Sequence, residues 1–278
     1  MSNQNLLPNQ MLIHVYSYSL LAILCLATAQ NAFTQPAKRP REYGIRFGVI
    51  PTGPLNAITD VPGVRVGQVT LQQGQRVRTG VTAIVPHPGN QFQQKSPAAI
   101  YIGNGFGKLS GYSQVEELGT LETPIILTNT LSVPTAADAL IDYTLTQAGN
   151  EKVRSVNAVV GETNDGFLND IRGRHVEKKH VLEAIQQAKI GGIASNGSGD
   201  YVIAVSTAYT IPHETGSAFD ELKLLRNDNI SPLFMAAIEA IEEAIINSLF
   251  AAKTMTGDQG HRVDELPKQR VIDWLMKK

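Results

Sequence analysis

Four loops of this 278-residue sequence concentrate the small polar side chains that hydrolytic chemistry uses. In Thr128-Asn129-Thr130 an amide and two hydroxyls follow an apolar strand and precede a helix. Such groups at the carboxyl end of a strand can hydrogen-bond a substrate or an oxyanion, and equally can cap the helix. In Gly161-Glu162-Thr163-Asn164-Asp165-Gly166 two carboxylates and an amide come directly after Val156–Val160. Carboxylates at a strand end are costly to bury without partners. Glu162 could take a cationic amine and Asp165 could orient a neighbour; an ordinary acidic turn is the alternative. In Ser195-Asn196-Gly197-Ser198-Gly199-Asp200, just before the apolar run Tyr201–Val205, Ser198 stands open between two glycines. The surrounding N–H groups could form an anion-binding nest, and Asp200 lies two residues on. A Gly-rich hairpin turn would look the same. The fourth loop, Gly53–Asp60 followed by Pro62-Gly63, reads first as a turn.

The elements that must position these loops alternate along the chain. Short apolar runs bounded by Gly or Pro predict about six strands: Val64–Val69, Val81–Val85, Ala98–Ile102, Ile125–Thr128, Val156–Val160 and Tyr201–Ser206. Such runs suit sheets covered on both faces. Helical spacing predicts helices at Thr135–Thr146, Lys178–Lys189, Pro232–Lys253 and Pro267–Met276. The third carries a stripe of Phe234, Ala237, Ile238, Ile241, Ile245, Ser248 and Leu249, with Ser231 as N-cap, Pro232 at N1 and glutamates on other faces. The fold class is α/β or α+β with layered sheets. Gly103-Asn-Gly-Phe-Gly107 lacks the full dinucleotide fingerprint, and no Walker motif is present.

Composition narrows the function classes. Hydrophobic residues are 42% and charged residues 18%, enough for a buried core. The net charge of -1 offers no electrostatic case for nucleic acid. The six histidines show no metal spacing, so neither a metal nor another cofactor is expected. Residues 1–29 read as a signal peptide: Leu20–Ala27 is continuously apolar and Ala27-Thr28-Ala29 suits cleavage, although Ser2–Gln10 has no Lys or Arg. The single cysteine, Cys25, lies inside that segment, so the mature chain would hold no disulfide or thiolate nucleophile. A periplasmic or secreted protein, free of the membrane after cleavage, is expected. Gln30–Arg46, with Lys38, Arg39 and Arg41, reads as a solvated linker, and residues 47–278 as one domain.

In their order, several stretches resemble the self-cleaving aminopeptidases of the DmpA type, which include L-aminopeptidase/D-Ala-esterase-amidases and β-aminopeptidases. They are Gly53–Gly63, Arg78–Ile84, Thr128–Thr130, Gly161-Glu162 with Asp165-Gly166, Asn169-Asp170, Asn196–Asp200, and Pro232–Phe234 with Glu242–Ile245. The resemblance covers the chain from about Arg41 onward. It implies an αββα sandwich similar to N-terminal-nucleophile hydrolases, cleaving small peptides, amides or esters with a free amino end. The precursor cuts itself before a serine, whose hydroxyl then attacks and whose new amine serves as base. No metal is implied. Glu162 would hold the substrate ammonium and Asn129 would sit at the edge of the site. Asn164 stands where some members carry tyrosine. Ser198 and Asp200 would match the supporting serine and carboxylate beside the nucleophile. Family members often form tetramers, so a homo-oligomer is an expectation.

One departure is large. In the family a long segment separates the helix matching Val176–Lys189 from the Asn-Gly-Ser-Gly motif, and it carries the oxyanion asparagine and the bond that is cut. Here Lys189 runs almost directly into Ile190–Ser195. The αββα sandwich is therefore expected to be incomplete near 189–195. Two readings follow: an aminopeptidase whose activity is lost or falls to Ser198, or a catalytically dead protein that still binds small amines or peptides.

Overall fold

The computed structural model describes residues 38–190 and 201–277. Strands β1 (Arg65–Gln73) and β2 (Val77–Val85) form an antiparallel hairpin in unbroken register from Arg65↔Val85 to Gln73↔Val77. Gly74 turns the chain between them at φ 49°, a conformation glycine adopts without a Cβ clash. β3 (Gln94–Ile102), α1 (Tyr112–Leu118) and β4 (Thr120–Leu121) follow. Then come β5 (Ile125–Asn129), α2 (Val133–Leu145), β6 (Val159–Thr163) and α3 (Lys178–Gln186).

One sheet has the order β1-β2-β5-β6, with β5 and β6 parallel and α2 between them in sequence. Its apolar face packs Val81, Ala83, Ile126 and Val160 against Ala136, Leu140, Val181 and Ala184 of α2 and α3. The approach is close enough that a Cβ on Gly67 would lie 1.9 Å from the Ala184 carbonyl oxygen. A second sheet places β3 between β4 and β7 (Tyr201–Val205), with β8 (Ile211–Pro212) also on β3. A second apolar cluster joins the layers through Ile100, Val115, Leu121, Ile125 and Val159.

All six expected strands are present, with shifted bounds. β6 begins at Val159 because the Asn157 N–H is already committed to Glu122 Oε1 at 2.7 Å. Gly161 to Thr163 therefore belong to the strand and not to the loop after it. α3 stops at Gln186 and not Lys189, since Lys189 exchanges two 3.0 Å backbone hydrogen bonds with Val66. β4, β8 and α1 are too short to leave a periodic signal.

The C-terminal part overturns two expectations. The long helix α4 (Ser231–Ala251) starts at Ser231, its cap is Ile230, and no side chain caps it. Its apolar stripe does not face a core: Ile238 is 64% exposed, and Phe234, Ile241, Ile245 and Leu249 are also exposed. The helix buries Glu243 and Phe250 instead. Polar partners explain the inversion. Arg41 donates to both Glu243 oxygens at 2.7 and 2.6 Å, and Asn56 Nδ2 donates to Oε1 at 2.7 Å. Glu239 accepts the Val49 and Ile50 N–H groups, each at 2.9 Å. The segment around Arg41 is thus no solvated linker: Pro40–Tyr43 forms a 3-10 turn beside α4. Hairpin β9 (Met255–Thr256) with β10 (Arg262–Val263), and helix α5 (Lys268–Leu275), complete the chain.

The second sheet is also not covered on both faces. Ala98, Ile100, Ile203 and Val205 face the core cluster, whereas Ala99, Tyr101, Val202 and Ala204 are exposed. The signal-peptide expectation for residues 1–29 lies outside the described residues. Among the described residues no helix is long and apolar enough to cross a membrane.

Candidate functional site

The parallel pairing of β5 with β6 brings two of the sequence-predicted loops side by side. Thr128 lies opposite Glu162, and Asn129 opposite Thr163. At this edge the Glu162 carboxylate is held from two directions. The Thr130 hydroxyl donates to Oε2, and the Lys108 backbone N–H donates to Oε1 at 3.1 Å. Lys108 is placed by the Gly-rich stretch after β3, and neighbouring Ser110 bridges to Val160 on the free edge of β6. The Lys108 ammonium donates to the Phe106 carbonyl at 2.8 Å and stands 4.9 Å from the centre of that ring. Two neutral donors orient this half-buried carboxylate and leave room for a cationic partner.

Asn129 is buried and engaged through both ends of its amide. Its Oδ1 accepts the Ser132 N–H at 3.0 Å, and its Nδ2 donates to Thr79 Oγ1 at 2.9 Å. The capping alternative is what its geometry displays. Asn164 is exposed, and its Oδ1 accepts the Gly166 N–H at 3.0 Å, closing a local turn. Asp165 accepts from Asn169 Nδ2 at 3.0 Å. Burial pushes its carboxyl above the ordinary range, against the hydrogen bonds from Thr79 and Asn169. The Gly53–Asp60 loop is a turn closed by Asp60, which accepts the Leu55 and Ala57 N–H groups at 2.9 and 3.2 Å.

A cleft of about 710 Å³ opens beside these residues, lined among others by Thr79, Gly80, Asn129, Thr163, Asn164 and Asp165. Thr163 lines it, and so does Thr128, the cross-strand partner of Glu162, whereas Glu162 itself is not among its lining residues. The structure thus brings Asn129 and Asn164 to one cavity, with Glu162 at the same strand end, paired with the cleft-lining Thr128. Ser198 and Asp200 lie outside the described residues. The chain resumes at Tyr201, which pairs with Ile102. Thr79, Lys108 and Asn169 were given no role from sequence. Thr79 and Asn169 fall in stretches that carried the family resemblance, whereas Lys108 contributes a backbone N–H that no side-chain pattern reveals. Among the described residues no group of three or more His, Cys, Asp or Glu could hold a metal ion.

The fold is a layered α/β scaffold with polar loops gathered at strand ends. The chain belongs to peptidase family S58, whose profile matches residues 56–190 and 188–263. The β-peptidyl aminopeptidase BapA of Sphingosinicella microcystinivorans is 27% identical over 392 aligned positions, covering 93% of this chain and 96% of the relative. A solved structure from Pyrococcus horikoshii OT3 is 35% identical with a TM-score of 0.81, covering 86% of this chain and 99% of that one. The L-aminopeptidase D-Ala-esterase/amidase of Ochrobactrum anthropi, described as a variant of the Ntn hydrolase fold, matches with a TM-score of 0.77. It is 23% identical, with 87% of this chain and 99% of that one covered, and the likeness bears on the fold alone. The expected relation to N-terminal-nucleophile hydrolases holds at the level of fold.

Proposed function

We propose that the protein is an exported aminopeptidase by descent that recognises the free amino end of small peptides, amides or esters through Glu162. The observation that carries this reading is the Glu162 carboxylate, fixed at the end of β6 by Thr130 and the Lys108 N–H. A substrate ammonium would add a charged partner to a group already oriented to receive one. A relative named as a β-peptidyl aminopeptidase supports the reaction class. Export rests on the apolar run and small residues before Gln30.

Ser198 is the hydroxyl proposed to attack, with Asp200 as its polar neighbour. Tyr201, three residues after Ser198, pairs with Ile102, and the chain beyond Ile102 leads to Lys108, the donor to Glu162. Asn129 and Asn164 would border the substrate from the cleft side.

A second reading, a binding protein without hydrolysis, is favoured by the lengths. The BapA alignment runs over 392 positions whereas this chain has 278 residues. The family match also breaks into two stretches meeting at 188–190, where a central segment would be missing. If that segment carried the nucleophile, neighbouring groups could not readily replace it.

One experiment separates the readings. Purified protein is incubated with aminoacyl p-nitroanilides and run on a denaturing gel. Hydrolysis with two fragments, both lost in Ser198→Ala, supports Ser198 as nucleophile. An intact chain without hydrolysis, but with saturable binding of an amino-acid amide that Glu162→Gln abolishes, supports the binding reading. Neither hydrolysis nor binding defeats both.

A further inference from the structure

Two arginines stand two positions apart where β2 begins, and they are used differently. Arg76 pairs with Asp170 at 3.0 Å and with Asp258 at 2.9 Å. Arg78 pairs with no carboxylate among the described residues. Its Nε donates to the Thr256 carbonyl at 3.1 Å and its Nη1 to the Val77 carbonyl at 2.7 Å. Both partners are neutral, so the positive charge is uncompensated. Those bonds use two of the five guanidinium N–H groups and leave the others for a carboxylate.

The half-buried Arg78 stands in the wall of the cleft described above. Among the residues lining that cleft it is the single base, and Asp165 is the single acid. Asp165 already accepts from Asn169 and Thr79, and burial makes it hold its proton more readily than an ordinary aspartic acid. Little negative charge therefore opposes Arg78, and a concave wall focuses the field of its cation on an incoming anion.

Strand register gives the distance to the amine site. Glu162 pairs with Thr128 of β5, and Leu127 pairs with Thr82 of β2. Strand spacing and rise per residue then set the Arg78 backbone about 14 Å from that of Glu162. An extended peptide advances about 3.3 Å per residue, so a chain of about three residues bridges the two, with a long side chain reaching in at each end.

We propose that Arg78 binds the terminal carboxylate of a short peptide, of about three residues, whose amino end lies at Glu162. The identity of the ligand as a peptide rests on the functional reading above. The carboxylate site itself does not involve Glu162.

Calorimetric titration of the full chain with N-acetyl-trialanine and with its C-terminal amide reads the carboxylate alone, because neither probe has a free amine. The wild type is expected to bind the acid at least about tenfold tighter than the amide, the value of a charged hydrogen bond. In Arg78→Gln the two probes are expected to bind alike. Arg78→Lys is expected to keep part of the preference, since it keeps the charge and loses the planar fork. Far-UV circular dichroism checks folding; if Arg78→Gln does not fold, the wild-type ratio and its fall with added salt carry the test. Equal affinity for acid and amide in the wild type overturns the proposal, as does no binding of the acid, or a preference that survives in folded Arg78→Gln. Glu162→Gln is expected to leave the ratio unchanged. Unacetylated trialanine, titrated into Ser198→Ala to prevent turnover, separates the two readings. If it binds no tighter than the acetylated acid while the acid preference persists, the amine site fails and the carboxylate site stands.

Discussion

Arg41 and Glu243, 202 positions apart, meet in a two-pronged ion pair, Nε to Oε1 at 2.7 Å and Nη2 to Oε2 at 2.6 Å. This pair ties the N-terminal arm to α4 and determines which face of the helix looks inward. Arg41→Ala leaves a buried carboxylate with one fewer charged partner and is expected to cost about 2 kcal/mol. Arg41 remains partly exposed, which keeps the loss below that of a fully buried pair. Urea unfolding should show a lower midpoint at unchanged slope. Arg41→Lys should recover only part of the loss, because an ammonium cannot reproduce the planar fork. An unshifted midpoint in Arg41→Ala would show that the pair contributes nothing.

At the proposed amine site, Glu162→Gln removes the charge that a ligand ammonium would meet. Affinity for an amino-acid amide is expected to fall at least about tenfold, the value of a charged hydrogen bond. Thr130→Val keeps the charge but frees the carboxylate to rotate, so a smaller loss is expected, about threefold. Calorimetric titration reads both. Equal affinity in the wild type and Glu162→Gln would remove Glu162 from the site.

Asp165 makes stability depend on pH. Burial raises its folded-state pKa, so the native chain keeps a proton that the unfolded chain has released. The stabilisation is fully present below the ordinary carboxylate pKa and is lost as pH rises through the raised one. Asp165→Asn has no such proton to lose. Unfolding midpoints measured from acid to neutral pH should therefore show the variant gaining on the wild type as pH rises. Parallel curves would contradict the shift.

Gly67 marks the tightest contact between β1 and α3. A Cβ would fall 1.9 Å from the Ala184 carbonyl oxygen and 2.7 Å from the Ala188 nitrogen, both backbone atoms that cannot swing aside. Gly67→Ala is expected to cost about 1–3 kcal/mol through overpacking. Gly216→Ala, where a Cβ meets nothing within 4 Å, is the control and should unfold near the wild type. The comparison is a pair of thermal or urea melts.

The strands were legible because each is a short apolar run ended by Gly, Pro or polar residues. Helices α2 and α3 were legible because their buried residues, such as Ala136, Ala139 and Leu140, or Val181, Ala184 and Ile185, recur at helical spacing. The facing of α4 was not legible. Its period marks Ile238, Ile241 and Ile245 as a core stripe, but the distant donors Arg41 and Asn56 select the Glu243 side. The site was legible as a set of polar loops. Its assembly was not: only the parallel pairing of β5 with β6 sets Thr128 beside Glu162 and Asn129 beside Thr163.

By themselves, the residues determined local matters: where strands and helices form, that Glu162 and Asp165 stand near a strand end, and that the loops follow the order of a peptidase family. These depend on periodicity and on neighbours within a few positions. Tertiary structure alone decided that Thr130 and the Lys108 N–H grip Glu162, that Asn129 spends its amide on Thr79 and Ser132, and that the α4 stripe points outward. Each of those depends on a partner brought in by strand pairing or by a long-range ion pair. Periodicity gives a side chain's direction relative to its own element, and only packing decides what lies in that direction.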